Sequence, residues 1–190
     1  MIPMIFTMLS GENPDLKGNQ LNENAEIIHT VLEDDGIFPN NNLPLILYKG
    51  AIDFSNYGDA SVIEKVFHAN NWANSWRNGI YSFHHYHSTA HEVLGVYSGS
   101  AKVQLGGEKG EIFNITKGDV VLIPAGVSHK NLGSTADFRV VGAYPQSQAW
   151  DMNYGKTEER PRADENIKNV ALPEMDPVFG KKGPVMELWK

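Results

Sequence analysis

The chain has 190 residues, of which 41% are hydrophobic and 21% charged, and this suits one folded domain and excludes a wholly disordered chain. The 23 Asp and Glu outnumber the 16 Lys and Arg, and the net charge of -7 has the wrong sign for a nucleic-acid partner. There is no cysteine, which excludes disulfides, thiolate zinc sites and a Cys nucleophile and fits a reducing, cytoplasmic location.

The first third of the chain predicts a loop, two strands and a helix, and nothing that enters a membrane. Residues 10–24 are polar and rich in Gly and Asn, as in a loop, and residues 26–32 begin a pair of short strands that ends before residue 50. A short helix is expected over residues 59–67, capped by Asp59. No apolar run approaches the ~20 residues of a membrane span, and the N-terminus lacks the basic region of a signal peptide.

The two tryptophans that follow the predicted helix, Trp72 and Trp76, could continue its apolar stripe. We interpret them as core packing.

The segment from Gly79 to Pro145 has the pattern of an all-β domain. Glycine turns separate short apolar or alternating runs, and we expect seven strands, at residues 80–87, 92–98, 101–105, 111–115, 119–123, 128–132 and 138–144. Strands at such regular short spacing predict a sandwich or a barrel. The remaining residues are rich in Pro, Asn and charge, and they predict an arm that wraps the barrel and is anchored by Trp150, Leu172, Phe179 and Trp189.

Four of the seven histidines lie within residues 84–91, and they predict a metal site. In an extended strand, His85 and His87 point to the same face. Glu92 opens the next predicted strand and can return to these imidazoles, and His129 lies on a later strand that can cross the same interior. Imidazole with carboxylate suits Fe, Mn, Ni, Co, Cu or Zn.

These residues lie in two motifs that resemble those of the cupin family. The first consists of Gly79, His85-Tyr86-His87, Glu92 and Gly99, and the second of Gly118, Pro124-Ala125-Gly126 and His129, with the fixed spacing of both cupin motifs. Gly133 stands where the second motif usually ends in Asn. The segments Leu32-Glu33-Asp34-Asp35-Gly36, Trp150-Asp151 and Asp176-Pro177-Val178-Phe179-Gly180 further resemble the YjlB-type cupins, a small single-barrel family.

The resemblance implies one double-stranded β-helix, the jelly-roll barrel of cupins, over the whole chain. We expect a single domain over residues 1–190, with an N-terminal extension at 1–44, a core barrel at about 45–145 and a C-terminal arm at 146–190. Exposed edge strands, which the terminal segments of a second copy can cover, predict a homodimer.

The resemblance also implies a divalent Fe, Mn, Ni or Zn ion on His85, His87, Glu92 and His129. Tyr81 and Phe83 share the inward parity of the ligands and Asn131 that of His129, so they are candidates for a substrate-binding wall, although core packing explains the two aromatics equally well. The neighbouring His91 has the opposite parity to Glu92 and is expected to face away from the site.

Cupins with this ligand set perform several reactions, so the resemblance leaves the chemistry open. The leading hypothesis is an oxidoreductase of the dioxygenase type acting on a small organic molecule. One alternative is a metal-dependent isomerase or lyase acting on a small sugar or carbonyl compound, in which Glu92 or a nearby side chain moves the proton. The other is a cupin that binds metal or a metabolite without catalysis.

Overall fold

The computed structural model describes residues 20–55, 59–146 and 148–190. Nine strands run through them: β1 (Glu26–Leu32), β2 (Asn41–Lys49), β3 (Trp72–Asn78), β4 (Glu92–Ser98), β5 (Ser100–Leu105), β6 (Glu111–Thr116), β7 (Val120–Ile123), β8 (His129–Ser134) and β9 (Arg139–Pro145). The helices are α1 (Ser61–Ala69), α2 (Arg160–Asn169), which follows a 3₁₀ turn at Thr157–Glu159, and α3 (Val185–Leu188). Residues 10–19 of the loop predicted at 10–24 lie outside the described residues.

The strands form two antiparallel sheets. The large sheet has the order β1-β2-β7-β4-β9-β3 and the small sheet the order β6-β5-β8. This arrangement confirms the all-β jelly roll with a short helix. Within the ranges that the structure describes, no helix has the length and apolar character needed to cross a membrane.

The central strands of the large sheet are buried on both faces. Leu47, Leu94 and Val121 face the small sheet and pack with its residues, while the alternate residues of the same strands pack on the outer face under α1 and the C-terminal arm. A strand that is covered on both sides has no need of polar residues on alternate positions. This explains why runs such as Val120–Ile123 are apolar throughout.

One predicted strand is wrong. Residues 80–87 form no strand but an extended segment with two isolated bridges, one from His85 to His129 and one from Tyr86 to Asn153. The strand lies earlier, in β3, which pairs with β9 across a bulge between Ala73 and Trp76. Its sequence, WANSWRN, has few β-branched residues and no regular alternation, because β3 is a largely exposed edge strand.

The predicted helix forms two residues later than expected. Its N-cap is Ala60, and Asp59 stands one residue before the cap, where its carboxylate accepts hydrogen bonds from the backbone N–H and the hydroxyl of Ser61. The tight approach of α1 to the sheet depends on Gly95, because a Cβ there would lie 2.7 Å from Ile63.

The C-terminal arm contains two helices that the sequence did not predict, and only some of the expected anchors bury. Trp189 is buried, and its indole N–H donates to the carbonyl of Pro44 at 2.9 Å. Phe179 packs against the outer face of the large sheet. Trp150 and Leu172 are largely exposed, so these two hold the arm less than expected.

Candidate metal centre

Three histidines and a glutamate meet at one end of the barrel interior. His129 opens β8 and pairs through its backbone with His85, by reciprocal N–H···O hydrogen bonds of 2.9 and 3.3 Å. Glu92 opens β4, which pairs with β7 and β9 at the centre of the large sheet. All four side chains, including His87, are at most 5% exposed. The structure thus brings together the four residues predicted as ligands.

The three histidines form a group that can hold a metal ion. One ligand nitrogen of each of His85, His87 and His129 lies within 4.8 Å of the others. The ring centroids of His85 and His129 are 3.9 Å apart, and each is 5.6 Å from that of His87. Buried imidazoles at this separation are suited to converge on one cation.

Glu92 lies beside the three histidines but does not belong to the group of ligand atoms that lie within 4.8 Å of one another. Its Oε2 lies 3.5 Å from Nε2 of His87 and 3.2 Å from Nε2 of His129, and this buried oxygen forms no hydrogen bond with the described residues. Its Oε1 accepts a hydrogen bond of 2.9 Å from the hydroxyl of Tyr144. Glu92 is therefore held by one oxygen, and the other faces the histidines.

Backbone carbonyls determine the tautomer of the histidines. Nδ1 of His87 is hydrogen-bonded to the carbonyl of Asp151, and Nδ1 of His85 and of His129 lie 3.4 Å from the carbonyls of Phe83 and Val127. Because a carbonyl only accepts, Nδ1 carries the proton when each ring is neutral, and Nε2 then has a free lone pair. With the unbonded Glu92 oxygen, this gives the donor set of a transition metal, so the residues present fit such an ion.

Burial and mutual charge shift the pKa values of this cluster. Burial, and then the proximity of His129 and His87, lowers the pKa of His85 to about 3, so this ring is neutral and able to ligate. Burial opposes the charged form of His87, yet Glu92 outweighs it and holds the pKa of His87 above its usual value. Burial likewise opposes the charge of Glu92, but the histidines hold the pKa of Glu92 well below its usual range.

A cavity of about 200 Å³ opens above this cluster. Of the three residues predicted to line a substrate site, Tyr81 lines the cavity and lies edge-on to His85, with ring centroids 5.2 Å apart. Phe83 stacks on Tyr81, with ring centroids 4.9 Å apart, and does not line the cavity. Asn131 differs from the prediction, because its amide is taken up by local hydrogen bonds to Ser134 and Gly133.

His91 lies on the opposite face of the strand from Glu92, as strand alternation predicted. Its Nδ1 accepts a hydrogen bond of 3.0 Å from the backbone N–H of Ala125, and its ring packs against Trp189. The backbone amide of Ala125 belongs to the turn that precedes His129. His91 therefore supports that turn and has no direct contact with the metal group.

Sequence reasoning missed several residues that complete the site. The indole of Trp76 donates to the hydroxyl of Tyr144 at 3.1 Å, and that hydroxyl donates in turn to Glu92. From the C-terminal arm, Trp150 lines the cavity 5.4 Å from the ring of His87. The inward parity of Tyr144 on the predicted strand 138–144 is the one signal that could have indicated it.

Comparison with known proteins agrees with the residue pattern. Residues 71–149 match the family model described as Cupin. The chain is 44% identical over 157 residues to the uncharacterized protein YjlB of Bacillus subtilis (strain 168), an alignment that covers 82% of this chain and 92% of that protein.

Two solved structures of lower identity also match the chain. Procruciferin, an 11S globulin from Brassica napus, is 19% identical and matches 75% of this chain and 30% of its own length, with a TM-score of 0.35. A cupin 2 domain-containing protein from Halorhodospira halophila is 10% identical and matches 90% of this chain and 97% of its own, with a TM-score of 0.34. On the family model and the curated relative, the chain belongs to the cupin family and is a YjlB-type cupin.

Proposed function

We propose that this cupin is a metal-dependent oxidoreductase of the dioxygenase type that acts on a small organic molecule. The observation that carries the proposal is the convergence of three buried imidazoles, each with its Nδ1 on a carbonyl, and the unbonded oxygen of Glu92 at the base of an open cavity. In this proposal His85, His87, Glu92 and His129 hold the metal, and the cavity admits the substrate.

The donor set supports a redox-capable ion. Three imidazoles and one carboxylate are intermediate in softness, which suits Fe, Mn or Ni as well as Zn. A bound ion of the first three kinds supplies Lewis acidity together with a change of oxidation state. The protein's part is to hold the ligands in one tautomer, to keep Glu92 ionised and to leave the cavity side of the site open.

The shortage of proton-transfer groups in the cavity lining favours a dioxygenase over an isomerase or a lyase. Those reactions need a group that gives or takes a proton near neutral pH. Apart from the four ligands, Tyr144 is the buried titratable side chain among the described residues that line the cavity. Burial, and then the charge of Glu92, raises the pKa of Tyr144 well above its usual range, and its proton is committed to Glu92.

Oxygen uptake tests the proposal. Metal-free protein is reloaded with Fe²⁺, Mn²⁺ or Ni²⁺ and offered small diketones, catechols and polyphenols, and we expect consumption of oxygen with at least one pair. Zn²⁺-loaded protein is the matched control, because Zn²⁺ has no redox chemistry. Turnover that survives with Zn²⁺ and without oxygen would replace the proposal by an isomerase or lyase. A metal that only raises the melting temperature, with no turnover, would leave a binding protein.

The proposal includes a cytoplasmic homodimer. One of the two edge strands of the large sheet, β3, has mostly exposed or half-buried side chains, and an exposed edge is a template for pairing with another chain. Light scattering at micromolar concentration measures the mass, and a monomer there would contradict the dimer.

A further inference from the structure

Aromatic rings that line the cavity lie beside two of the three histidines. Tyr81 lies edge-on to His85, whereas Trp150 lies 5.4 Å from His87 and stacks on Tyr144 with an interplanar angle of 23°. Tyr81 and Trp150 are 49% and 48% exposed. Both residues line the cavity and remain partly exposed, so a ligand that enters it can contact them.

The same cavity offers no free positive charge. Arg77 is the one Lys or Arg among the described residues that line it, and its guanidinium is held by both oxygens of Glu64, at 2.6 and 2.8 Å. The polar atoms of Trp76 and Tyr144 are committed to each other and to Glu92. Apart from a metal ion held by the histidines, a phosphate or a second carboxylate on a ligand would find no free cation, and burying it would cost its hydration.

We propose that the site takes a planar, uncharged aromatic compound, with its ring between Tyr81 and Trp150 and a polar oxygen directed to the histidines. Ring stacking supplies the selectivity, because a flat π-face gains contacts with both side chains that a saturated ring cannot reproduce. Trp150 is then a specificity-determining residue of the C-terminal arm. The direction of the oxygen rests on the proposed metal function, whereas the stacking does not.

A matched pair of neutral probes tests the stacking. Benzamide and cyclohexanecarboxamide carry the same polar group and differ in the planarity of the ring. Calorimetric titration of the Zn²⁺-loaded full chain, in which no redox turnover occurs, should show ~10-fold tighter binding of benzamide. In the metal-free chain, where no metal ion can hold the phosphate, phenyl phosphate should bind more weakly than benzamide. Equal affinity for the two amides in the Zn²⁺-loaded chain, or a preference of the metal-free chain for the phosphate, would overturn the inference.

Substitutions test whether the preference for benzamide depends on the rings of Trp150 and Tyr81. Trp150→Ala and Tyr81→Ala should each remove most of the preference for benzamide, and Trp150→Phe should keep it. Tyr154→Ala is the control, because Tyr154 is an exposed aromatic of the same arm that does not line the cavity. Loss of the preference in Tyr154→Ala but not in Trp150→Ala would contradict the assignment.

Metal content, measured in parallel by elemental analysis, separates this inference from the proposed function. If the protein binds no metal but metal-free chain still prefers benzamide, the metal function fails and the stacking stands. If it binds metal but shows no preference between the amides, the aromatic class is wrong and the metal function stands.

Discussion

Two atoms determine what each histidine of the centre can do. Nδ1 is occupied by a carbonyl and Nε2 is left to bind a cation, so removing a ring removes a ligand outright. We expect His85→Ala, His87→Ala and His129→Ala to lose most of the bound Zn²⁺, measured by elemental analysis after dialysis, while far-UV circular dichroism keeps its β-rich shape.

His91 is the matched control for these substitutions, because it is as deeply buried as the ligands but lies on the other face of the strand. His91→Ala should keep the metal and lose only stability. If His91→Ala strips the metal while His129→Ala retains it, the proposed ligand set is wrong.

Acidification should release the metal through His87. Glu92 outweighs burial and holds the pKa of His87 above its usual value, so in the metal-free protein this ring takes up a proton at a pH above that of a free histidine, about 6.5. Metal binding must displace this proton. Zinc affinity should therefore fall as the pH decreases through the raised pKa of His87, and competition titration with a chelator at each pH measures it.

The metal-free protein should show the opposite trend in stability. A histidine with a raised pKa contributes stability that is complete below its unfolded pKa and is lost as the pH rises through the folded pKa. Urea unfolding of the metal-free chain should show this decrease above about pH 6.5, and Glu92→Gln should remove it. A decrease that is unchanged in Glu92→Gln would have another cause.

At this scale the sequence indicated the four residues that the structure brings together, but it missed the residues that support them. The spacing of His85, His87 and Glu92 lies within one short segment, and the motif carries it. The hydrogen bond from Tyr144 to Glu92 depends on the pairing of β9 with β4, and the one from His87 to Asp151 on the course of the arm. Such contacts between distant segments cannot be obtained from local pattern alone.

Among the elements, a short segment of the C-terminal arm, residues 149–153, holds the loop of His87 in place. Its Asn153 exchanges two backbone hydrogen bonds of 3.0 Å with Tyr86. The carboxylate of Asp151 accepts from the backbone N–H and the hydroxyl of Ser88, and the carbonyl of the same residue receives Nδ1 of His87. The arm therefore orients His87, one of the proposed metal ligands.

Asp151→Asn should weaken metal binding by about 10–100-fold, the usual cost of losing the group that orients a metal-bound histidine. The reason is that the amide cannot accept both hydrogen bonds of Ser88 as well as the carboxylate does, so the carbonyl that holds His87 shifts. Competition titration measures the affinity, and the visible spectrum of Co²⁺-loaded protein reports the change in ligand geometry.

Asp53→Asn is the control for this substitution. Asp53 accepts hydrogen bonds from the backbone N–H and the hydroxyl of Ser55 in the same manner, but it lies in an exposed turn far along the chain from the centre. It should leave metal affinity unchanged. An equal loss in both variants would mean that Asp151 has no special role.

The elements themselves were predictable where their burial was regular. The apolar runs of β4 and β7 correspond to strands at the centre of a sheet that is covered on both faces. The misplaced strand at residues 80–87 has a different cause, since Ile80, Tyr81 and two histidines of this segment line the cavity, and the backbone forms isolated bridges instead of a ladder. The helix α2 has only Ala163 fully buried, and so it lacks the apolar stripe that indicates a helix.

In the whole molecule, the barrel and the arm form one structure through Asp176. The buried carboxylate of Asp176 accepts hydrogen bonds from the hydroxyl of Tyr48 in β2 and from the backbone N–H groups of Val178, Phe179 and Val185 in the arm. Gly183 packs directly on it, because a Cβ there would lie 2.0 Å from the carboxyl carbon. The motif around Asp176 indicated family membership, but nothing local to it predicted the partner in β2.

This connection predicts that the single domain proposed for residues 1–190 unfolds in one transition. Asp176→Asn places an amide N–H₂ among four donors and should lower the free energy of unfolding by about 1–3 kcal/mol. Urea unfolding followed by tryptophan fluorescence, which reports on Trp189 in the arm as well as Trp72 in the barrel, and by far-UV circular dichroism should give coincident curves. Glu174→Gln, an exposed neighbour, should leave the midpoint unchanged. If Asp176→Asn makes the fluorescence transition precede the loss of β-structure, the arm unfolds separately and the chain is more than one cooperative unit.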